Sequence, residues 1–269
     1  MNETATALPE LRTISMAREG RLLRITLNRP DALNAVNLLL HNDLVDALWF
    51  AQCDPESDIV VLTGAGRAFS AGGDLDHLAH NAANPHLFDH EARIAKRIIF
   101  TLLDIEKPVI CRMNGHAVGL GATLALMCDI IFAVEGAKIG DPHVGIGLVA
   151  GDGGAVIWAQ RVGLGRAKEY LFTGDLIPAS KAAEIGLINR CVPAEELDAT
   201  VDGFCQRLLN GAMAAIRSTK ILTNLETKRV AHAVMDAGIA YESVSVRSPD
   251  HLEGIAAIRE KRKPVFNKR

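Results

Sequence analysis

Three short, uninterrupted apolar runs constrain the fold of this chain more than any other feature: Ile59-Val60-Val61-Leu62, Val109-Ile110-Cys111 and Ile130-Ile131-Phe132-Ala133. None alternates polar with apolar residues, so each reads as a strand covered on both faces, as in a sheet with helices packed against it. Helical patterns lie between them. Asn37 is placed to cap a helix running to about Gln52, with Leu40, Leu44, Ala47 and Leu48 on its apolar face. Residues 93–103 carry another helical pattern, and a further short one precedes Ile130. Strand, helix and strand in succession predict right-handed crossovers and a mainly parallel sheet, an α/β fold. Ahead of this unit, residues 12–18 and Leu22–Leu27 alternate well enough to form two strands around the turn Glu19-Gly20.

Residues 75–89 are polar, histidine-rich and irregular, and are expected to form a loop over the site. From about residue 194 the pattern is wholly helical, with helices expected over 194–210, 212–225, 230–246 and 250–262. The chain therefore divides into a core, 1–193, and a C-terminal helical region, 194–269, that work as one unit.

The 269 residues suffice for one large domain, and 49% hydrophobic with 23% charged residues is an ordinary folded composition. A net charge of -3 leaves no basic field, which argues against nucleic acid or an anionic membrane as the main partner. The five cysteines are scattered without a C-x-x-C pair, as expected of reduced thiols in a reducing compartment. Residues 1–11 have neither a secretory nor a convincing transit pattern. The longest apolar stretch, 120–134, is interrupted by Asp129 and too short to span a bilayer. A cytoplasmic location is the expectation.

Two glycine-rich segments follow predicted strands: Thr63-Gly64-Ala65-Gly66-Arg67-Ala68-Phe69-Ser70-Ala71-Gly72-Gly73-Asp74-Leu75 and Asn114-Gly115-His116-Ala117-Val118-Gly119-Leu120-Gly121-Ala122. Glycine lets a ligand approach main-chain N–H donors, and where such a turn opens a helix the dipole favours an anion. Neither segment has G-x-G-x-x-G spacing, and Gly163-Leu164-Gly165-Arg166-Ala167-Lys168 lacks Walker spacing, so a nucleotide-binding loop is not indicated. Taken alone, the glycines are equally compatible with tight turns and close packing.

Leu27-Asn28-Arg29-Pro30-Asp31-Ala32-Leu33-Asn34-Ala35 resembles the N-terminal motif of the crotonase (enoyl-CoA hydratase/isomerase) superfamily. So do Phe69-Ser70-Ala71-Gly72-Gly73-Asp74-Leu75, and Lys107-Pro108-Val109-Ile110 running into Asn114-Gly115-His116-Ala117. Phe172-Thr173-Gly174 with Ala182-Ala183-Glu184-Ile185-Gly186-Leu187, and Glu260-Lys261-Arg262-Lys263-Pro264-Val265-Phe266, resemble its later segments in family order. The resemblance implies a crotonase-like spiral of ββα turns whose C-terminal helices build a homotrimer or a hexamer of two trimers. It implies an acyl-CoA thioester substrate, with coenzyme A present as part of that substrate and no permanently bound cofactor. The backbone N–H groups of Gly73 and Leu120 would form an oxyanion hole for the thioester enolate. Ala32, Ala71, Asp74 and Leu75 would line the CoA channel, and Phe266 would cover the nucleotide end. Gly119, Thr123 and Pro142 would meet the substrate.

The chain departs from the hydratase pattern at both catalytic glutamates. Thr123 stands at the first glutamate position and His143 at the second. Threonine cannot serve as a base near neutral pH, whereas histidine can. Asp152, at the start of a helix predicted over 155–162, could accept a hydrogen bond from the imidazole and raise its basicity; a plain helix N-cap is the other reading of it. The His143/Asp152 pattern also resembles a branch of the superfamily that cleaves β-diketones, as in 6-oxocamphor hydrolase, which has a glutamate matching Glu242.

Three functions follow: an acyl-CoA hydratase/isomerase-type enzyme using His143 and Asp152, a C–C bond hydrolase of β-diketones or β-keto acyl-CoAs, and a non-catalytic CoA-binding paralogue. His116 reads as structural. His77, His80, His86 and His90 lack a helical H-x-x-x-H pair flanked by an acid, so no metal is expected.

Overall fold

A computed structural model describes residues 6–266, so part of the N-terminal stretch discussed above lies outside the described residues. The apolar runs form the centre of a six-stranded sheet in the order β1-β2-β3-β5-β7-β10: β1 Ile14–Glu19, β2 Leu22–Leu27, β3 Ile59–Gly64, β5 Val109–Met113, β7 Ile130–Val134 and β10 Arg190–Val192. Every residue of β3 is buried, as a strand covered on both faces requires. The first pair is an antiparallel hairpin with Ile14 opposite Leu27, and all later pairings in this sheet are parallel.

A second, four-stranded sheet is built from shorter strands in the order β4-β6-β8-β9: β4 Ala68–Ser70, β6 His116–Val118, β8 Lys138–Gly140 and β9 Ile177–Pro178. Each long central strand is followed by one short strand and then by helix. β3 and β4 lead to α2 (Leu75–Ala83) and α3 (Pro85–Asp104), β5 and β6 to α4 (Leu120–Met127), and β7 and β8 to α5 (Gly154–Thr173). This repetition is the expected ββα spiral. Its consequence is geometric: β4, β6 and β8 are parallel neighbours, so the segments leaving their carboxyl ends emerge side by side.

Asn37 caps α1 (Leu38–Cys53) as expected, its side chain accepting from Leu40 N at 3.0 Å. The N-terminal motif has a structural task. Asn34, fully buried, accepts from Arg29 N and donates through Nδ2 to the carbonyls of Ala65 and Ala68, each at 2.9 Å, clamping the first glycine segment.

Two expectations are corrected. Residues 75–89 are not an irregular loop but α2 and the start of α3, joined at Asn84. Asp74 caps α2 by accepting from Asp76 N and His77 N, and Pro85 opens α3, where its missing N–H costs nothing. The segment lacks an obvious apolar stripe because one of its polar residues, Asn81, is turned inward and buried. The helices expected over 212–225 and 230–246 are one helix, α8 Met213–Val246. The linking stretch Glu226-Thr227-Lys228-Arg229 contains no glycine or proline and is reinforced by an Arg229–Glu226 pair, so nothing stops the helix there. α5 does break near its expected end, at Gly163. α6 (Ala179–Glu184), α7 (Leu197–Leu209) and α9 (Pro249–Arg259) complete the chain. α8 packs along α3 and α5, and α9 on α2. Among the described residues no helix is long and apolar enough to cross a membrane, and all five cysteines are free thiols.

The turn between β5 and β6 holds the second glycine segment directly against the first. A methyl group at Gly115 would lie 2.1 Å from the carbonyl oxygen of Arg67 and 2.8 Å from the Cα of Ala68. Gly115→Ala must force β4 and β6 apart, and a loss of about 2–3 kcal/mol in urea unfolding is expected, as for an overpacked core. A change below ~0.5 kcal/mol would show that the contact yields easily.

Candidate active site

The carboxyl ends of β4, β6 and β8 open onto a cavity of about 330 Å³. β4 delivers Ala71, Gly72 and Gly73, β6 delivers Gly119 and Leu120, and β8 delivers Pro142 and His143. Asp152 and Glu242 complete this wall, the first from the turn before α5 and the second from α8. The structure thus brings together Gly73, Leu120, His143, Asp152, Glu242, Ala71, Leu75, Gly119 and Pro142 of the expected residues.

The backbone around the glycines is fixed from behind. Val36 N donates to Gly72 O at 2.7 Å and Asp74 N to Val36 O at 3.0 Å. In such a parallel bridge the N–H of the residue between, Gly73, faces the other way. Leu120 is the first residue of α4, so its N–H has no partner within the helix. Gly119 N is tied to Gly140 O at 2.9 Å.

The titratable cluster has four members. Asp141, at 1% exposure, bonds through Oδ1 to His143 Nδ1 and also accepts from His143 N. On the opposite edge of the ring, His143 Nε2 stands 3.6 Å from Asp152 Oδ2. Asp152 Oδ1 accepts from Gly154 N at 3.3 Å and from Thr123 Oγ1 at 3.4 Å. Glu242 is buried beside them. The run Gly151-Asp152-Gly153-Gly154 makes this packing possible. A methyl group at Gly154 would lie 2.1 Å from Asp141 Oδ2, and one at Gly151 would lie 2.3 Å from Gly238 O and 2.8 Å from Glu242 Oε2. Only bare backbone at these two positions lets β8 and α8 bring their carboxyls this close.

Burial alone would lower the His143 proton affinity, but the charges of Asp141 and Asp152 and the hydrogen bond that the ring donates to Asp141 outweigh it and hold the ring well above the usual histidine range. Burial pushes Glu242 well up, helped by the charge of Asp152. Asp152 is also raised by burial, against the opposing pull of His143. The His143 ring therefore holds its proton more firmly than an ordinary histidine, and Glu242 holds its own more firmly than an ordinary carboxyl, beside one cavity. Such a set can give and take protons without net charge crossing the site.

Sequence reasoning missed Asp141. The oxygen at Nδ1, the ring-orienting position, belongs to it, whereas Asp152 faces Nε2. Asp152 does not cap α5 in the ordinary way, since Gly153 holds the cap position, but its carboxylate does meet the first N–H of the helix. Thr123 does not line this cavity and instead braces Asp152. Ala32 and Asp74 also lie off the cavity wall; Asp74 caps α2 and pairs with Arg29 at 3.1 Å. The segment around Phe266 is drawn onto α9 of its own chain, with Val265 N donating to Glu253 Oε1 at 2.8 Å. His116 is structural as read, accepting from Lys138 N at 3.0 Å. Asp141, His143 and Asp152 place ligand-type atoms within 4.8 Å of one another, two of them already bonded to each other.

Residues 17–269 match the family model described as enoyl-CoA hydratase/isomerase. The chain is 34% identical to crotonyl-CoA hydratase of Syntrophomonas wolfei over 255 residues, 94% of this chain and 97% of that one. It is 32% identical to 2,3-dehydroadipyl-CoA hydratase of Escherichia coli over 258 residues, 94% and 98% of the two chains. Among solved structures, an enoyl-CoA hydratase/isomerase from Mycobacterium paratuberculosis superposes with a TM-score of 0.88 at 37% identity, covering 92% of this chain and 99% of that one. The chain belongs to the enoyl-CoA hydratase/isomerase family and has its crotonase fold. It is an enzyme of that family.

On a further wall of the cavity stands a residue the sequence reading passed over. Among the described residues neither ring nitrogen of His41, on α1, has a hydrogen-bond partner, and burial pushes its proton affinity down to about 4. Between that value and the ordinary 6.5, the unfolded chain binds a proton that the folded chain does not. Stability from this group is present above pH 6.5 and is lost as the pH falls toward 4. His41→Gln is expected to remove up to about 3 kcal/mol of acid-side stability loss, read as the difference between variant and wild-type unfolding at pH 7.5 and 4.5. Parallel pH dependence in the two proteins would contradict the assignment.

Proposed function

We propose that this enzyme acts on acyl-CoA thioesters through an enolate, by hydration or double-bond isomerisation of an enoyl-CoA. Gly73 and Leu120 N–H hold the thioester oxygen, and the His143 cluster moves the protons. The observation that supports this reading is that Gly73, Leu120, the half-buried His143 and the buried Asp152 and Glu242 all line one cavity.

In hydration, Asp152 takes a proton from water as the oxygen adds to Cβ. The electron pair of the double bond moves onto the thioester oxygen, where the two N–H groups stabilise it. The His143 imidazolium then delivers a proton to Cα, and the proton on Asp152 returns to the ring across the 3.6 Å gap at Nε2. Asp141 holds the ring so that Nε2 faces this gap. Isomerisation needs no water: the same groups remove a proton at one carbon and return it at another. Thr123, in place of a glutamate, supports the substituted acid by donating to Asp152.

A second reading is favoured by one observation, the Asp141–His143 pair with Nε2 turned to Asp152 and the cavity. With Asp152 at Nε2 taking the proton, the His143/Asp152 pair can activate water against a ketone carbonyl, with the departing enolate resting on the same backbone donors. Keto-acid formation from a β-diketone or β-keto acyl-CoA, without hydration of any enoyl-CoA, would establish it over the first.

Leu120 permits a direct test of the donor. As the first residue of α4 its N–H takes no part in the helix, so proline removes the donor without breaking a helical hydrogen bond, and circular dichroism checks that the variant keeps its fold. Leu120→Pro is expected to lower kcat/KM on an enoyl-CoA by roughly 10²–10³, whereas Leu120→Ala, which keeps the N–H, stays within about tenfold of wild type. Asp152→Asn is expected to lower kcat at least as much as Leu120→Pro. Equal activity of the proline and alanine variants would remove Leu120 from the oxyanion hole.

A further inference from the structure

His143 stands on a short 3₁₀ turn, His143–Ile146, that ends on Gly147 in the left-handed region at φ +67°. Backbone bonds close the turn on itself: Gly145 N donates to Pro142 O and Leu148 N to His143 O, each at 2.8 Å. The second bond makes the place of His143 depend on where residues 146–148 are held. The C-terminal helices hold them. His251, on α9, donates from Nδ1 to Ile146 O at 2.8 Å, and Val149 N donates to Ser245 Oγ, on α8, at 3.2 Å. A methyl group at Gly254 would lie 2.6 Å from the Cα of Ile146, and one at Gly147 would lie 2.6 Å from the carbonyl carbon of Asp250. α9 therefore meets the turn backbone to backbone, and His251 is the hydrogen bond that joins them.

His251 is fully buried, and Ser248 fixes its place on the first turn of α9 by accepting from His251 N at 3.1 Å. A carbonyl oxygen can only accept, so the ring carries its proton at Nδ1. Nε2 is buried with no partner among the described residues, and a second proton there would add an unpaired N–H. Burial lowers the proton affinity of the ring, against the bond to Ile146 and together with the charge of His143. A histidine that only fills space needs no particular nitrogen; this one needs Nδ1.

His251 does not line the cavity, whereas Ile146 and Leu148 do. Its route to the reacting atoms runs through the turn. His143 must keep Nδ1 on Asp141, which follows β8, and Nε2 3.6 Å from Asp152, which precedes α5. A turn free to shift against those two carboxyls would take the ring out of both relations.

We propose that His251 is a positioning residue for the reaction: by holding Ile146 O it fixes the turn that aims His143 between Asp141 and Asp152. This deepens the acyl-CoA reading above and rests on it for the task given to His143.

Two substitutions in the full chain separate positioning from packing. His251→Leu fills a similar volume without a donor, whereas His251→Asn is smaller but keeps an N–H near the place of Nδ1. His251→Leu is expected to lower kcat on an enoyl-CoA by on the order of ten- to a hundredfold, with KM within about threefold of wild type. In the same variant the titration midpoint of His143, followed by carbon-13 NMR of the ring, is expected to move down, because the ring leaves the carboxylates that raise it. His251→Asn is expected to recover most of kcat and of the midpoint. A Leu variant that works better than the Asn variant, or an unmoved His143 midpoint in His251→Leu, overturns the positioning role and leaves the acyl-CoA reading standing. If wild type turns over no acyl-CoA, that reading falls, and the His143 midpoint still decides whether His251 positions the ring. The tautomer of wild-type His251, read by nitrogen-15 NMR, decides the matter even if a variant does not fold. The proton is expected at Nδ1; a proton at Nε2 with Nδ1 bare overturns the inference, since Ile146 O then has no donor.

Discussion

The parallel pairing of β4, β6 and β8 is the constraint on which the rest of the structure depends. Each of these strands has only three residues, too few to stabilise a sheet alone. They are held by what surrounds them: the six-stranded sheet to which each is directly linked in the chain, the Asn34 clamp on the first glycine segment, and backbone contact at Gly115. Because the three run in the same direction, their carboxyl ends emerge together, as ligand sites do at the carboxyl edge of parallel sheets. Gly73, Leu120 and His143, far apart in sequence, become neighbours across one cavity for that reason alone.

Electrostatics supplies the second half of the site. Three carboxyls, Asp141, Asp152 and Glu242, are buried around one imidazole, an arrangement that would be untenable if all were charged. It is made tolerable by opposed effects: the neighbouring carboxylates raise the proton affinity of the ring, and burial raises that of Glu242. The cluster therefore gathers groups of altered proton affinity at one place. The glycines of the turn at 151–154 secure this by letting β8 and α8 approach until their side chains meet. The acids of this site come from the turn before α5, which carries Asp152, and from α8, which carries Glu242.

Much of the fold was legible because it rests on local patterns. Three apolar runs became β3, β5 and β7, Asn37 capped α1, and Gly163 interrupted α5. What misled was polarity with a tertiary cause. Residues 75–89 read as a loop because Asn81, buried though polar, resembles a solvent-facing residue when only neighbours in sequence are considered. The single helix α8 read as two because its middle, Glu226-Thr227-Lys228-Arg229, carries no apolar residue to continue the pattern. In the site, the glycine segments and His143 were visible through their motifs. Asp141 was not, since nothing local shows that a carboxylate ahead of Pro142 folds back onto the ring and lies against Gly154. His251 was illegible for a stronger reason: it comes from α9 and its partner from the turn at 143–146, and no spacing links them.

Enolate formation is the step common to hydration, isomerisation and carbon–carbon cleavage in such a site, so it is the claim to measure. Incubating the enzyme in deuterated water with saturated acyl-CoAs, which can be neither hydrated nor cleaved, isolates it. Incorporation of deuterium at Cα, detected by mass spectrometry and lost in Leu120→Pro and in His143→Ala, is the expected result. Tight binding of the acyl-CoA with no exchange above the uncatalysed rate at any chain length would contradict it.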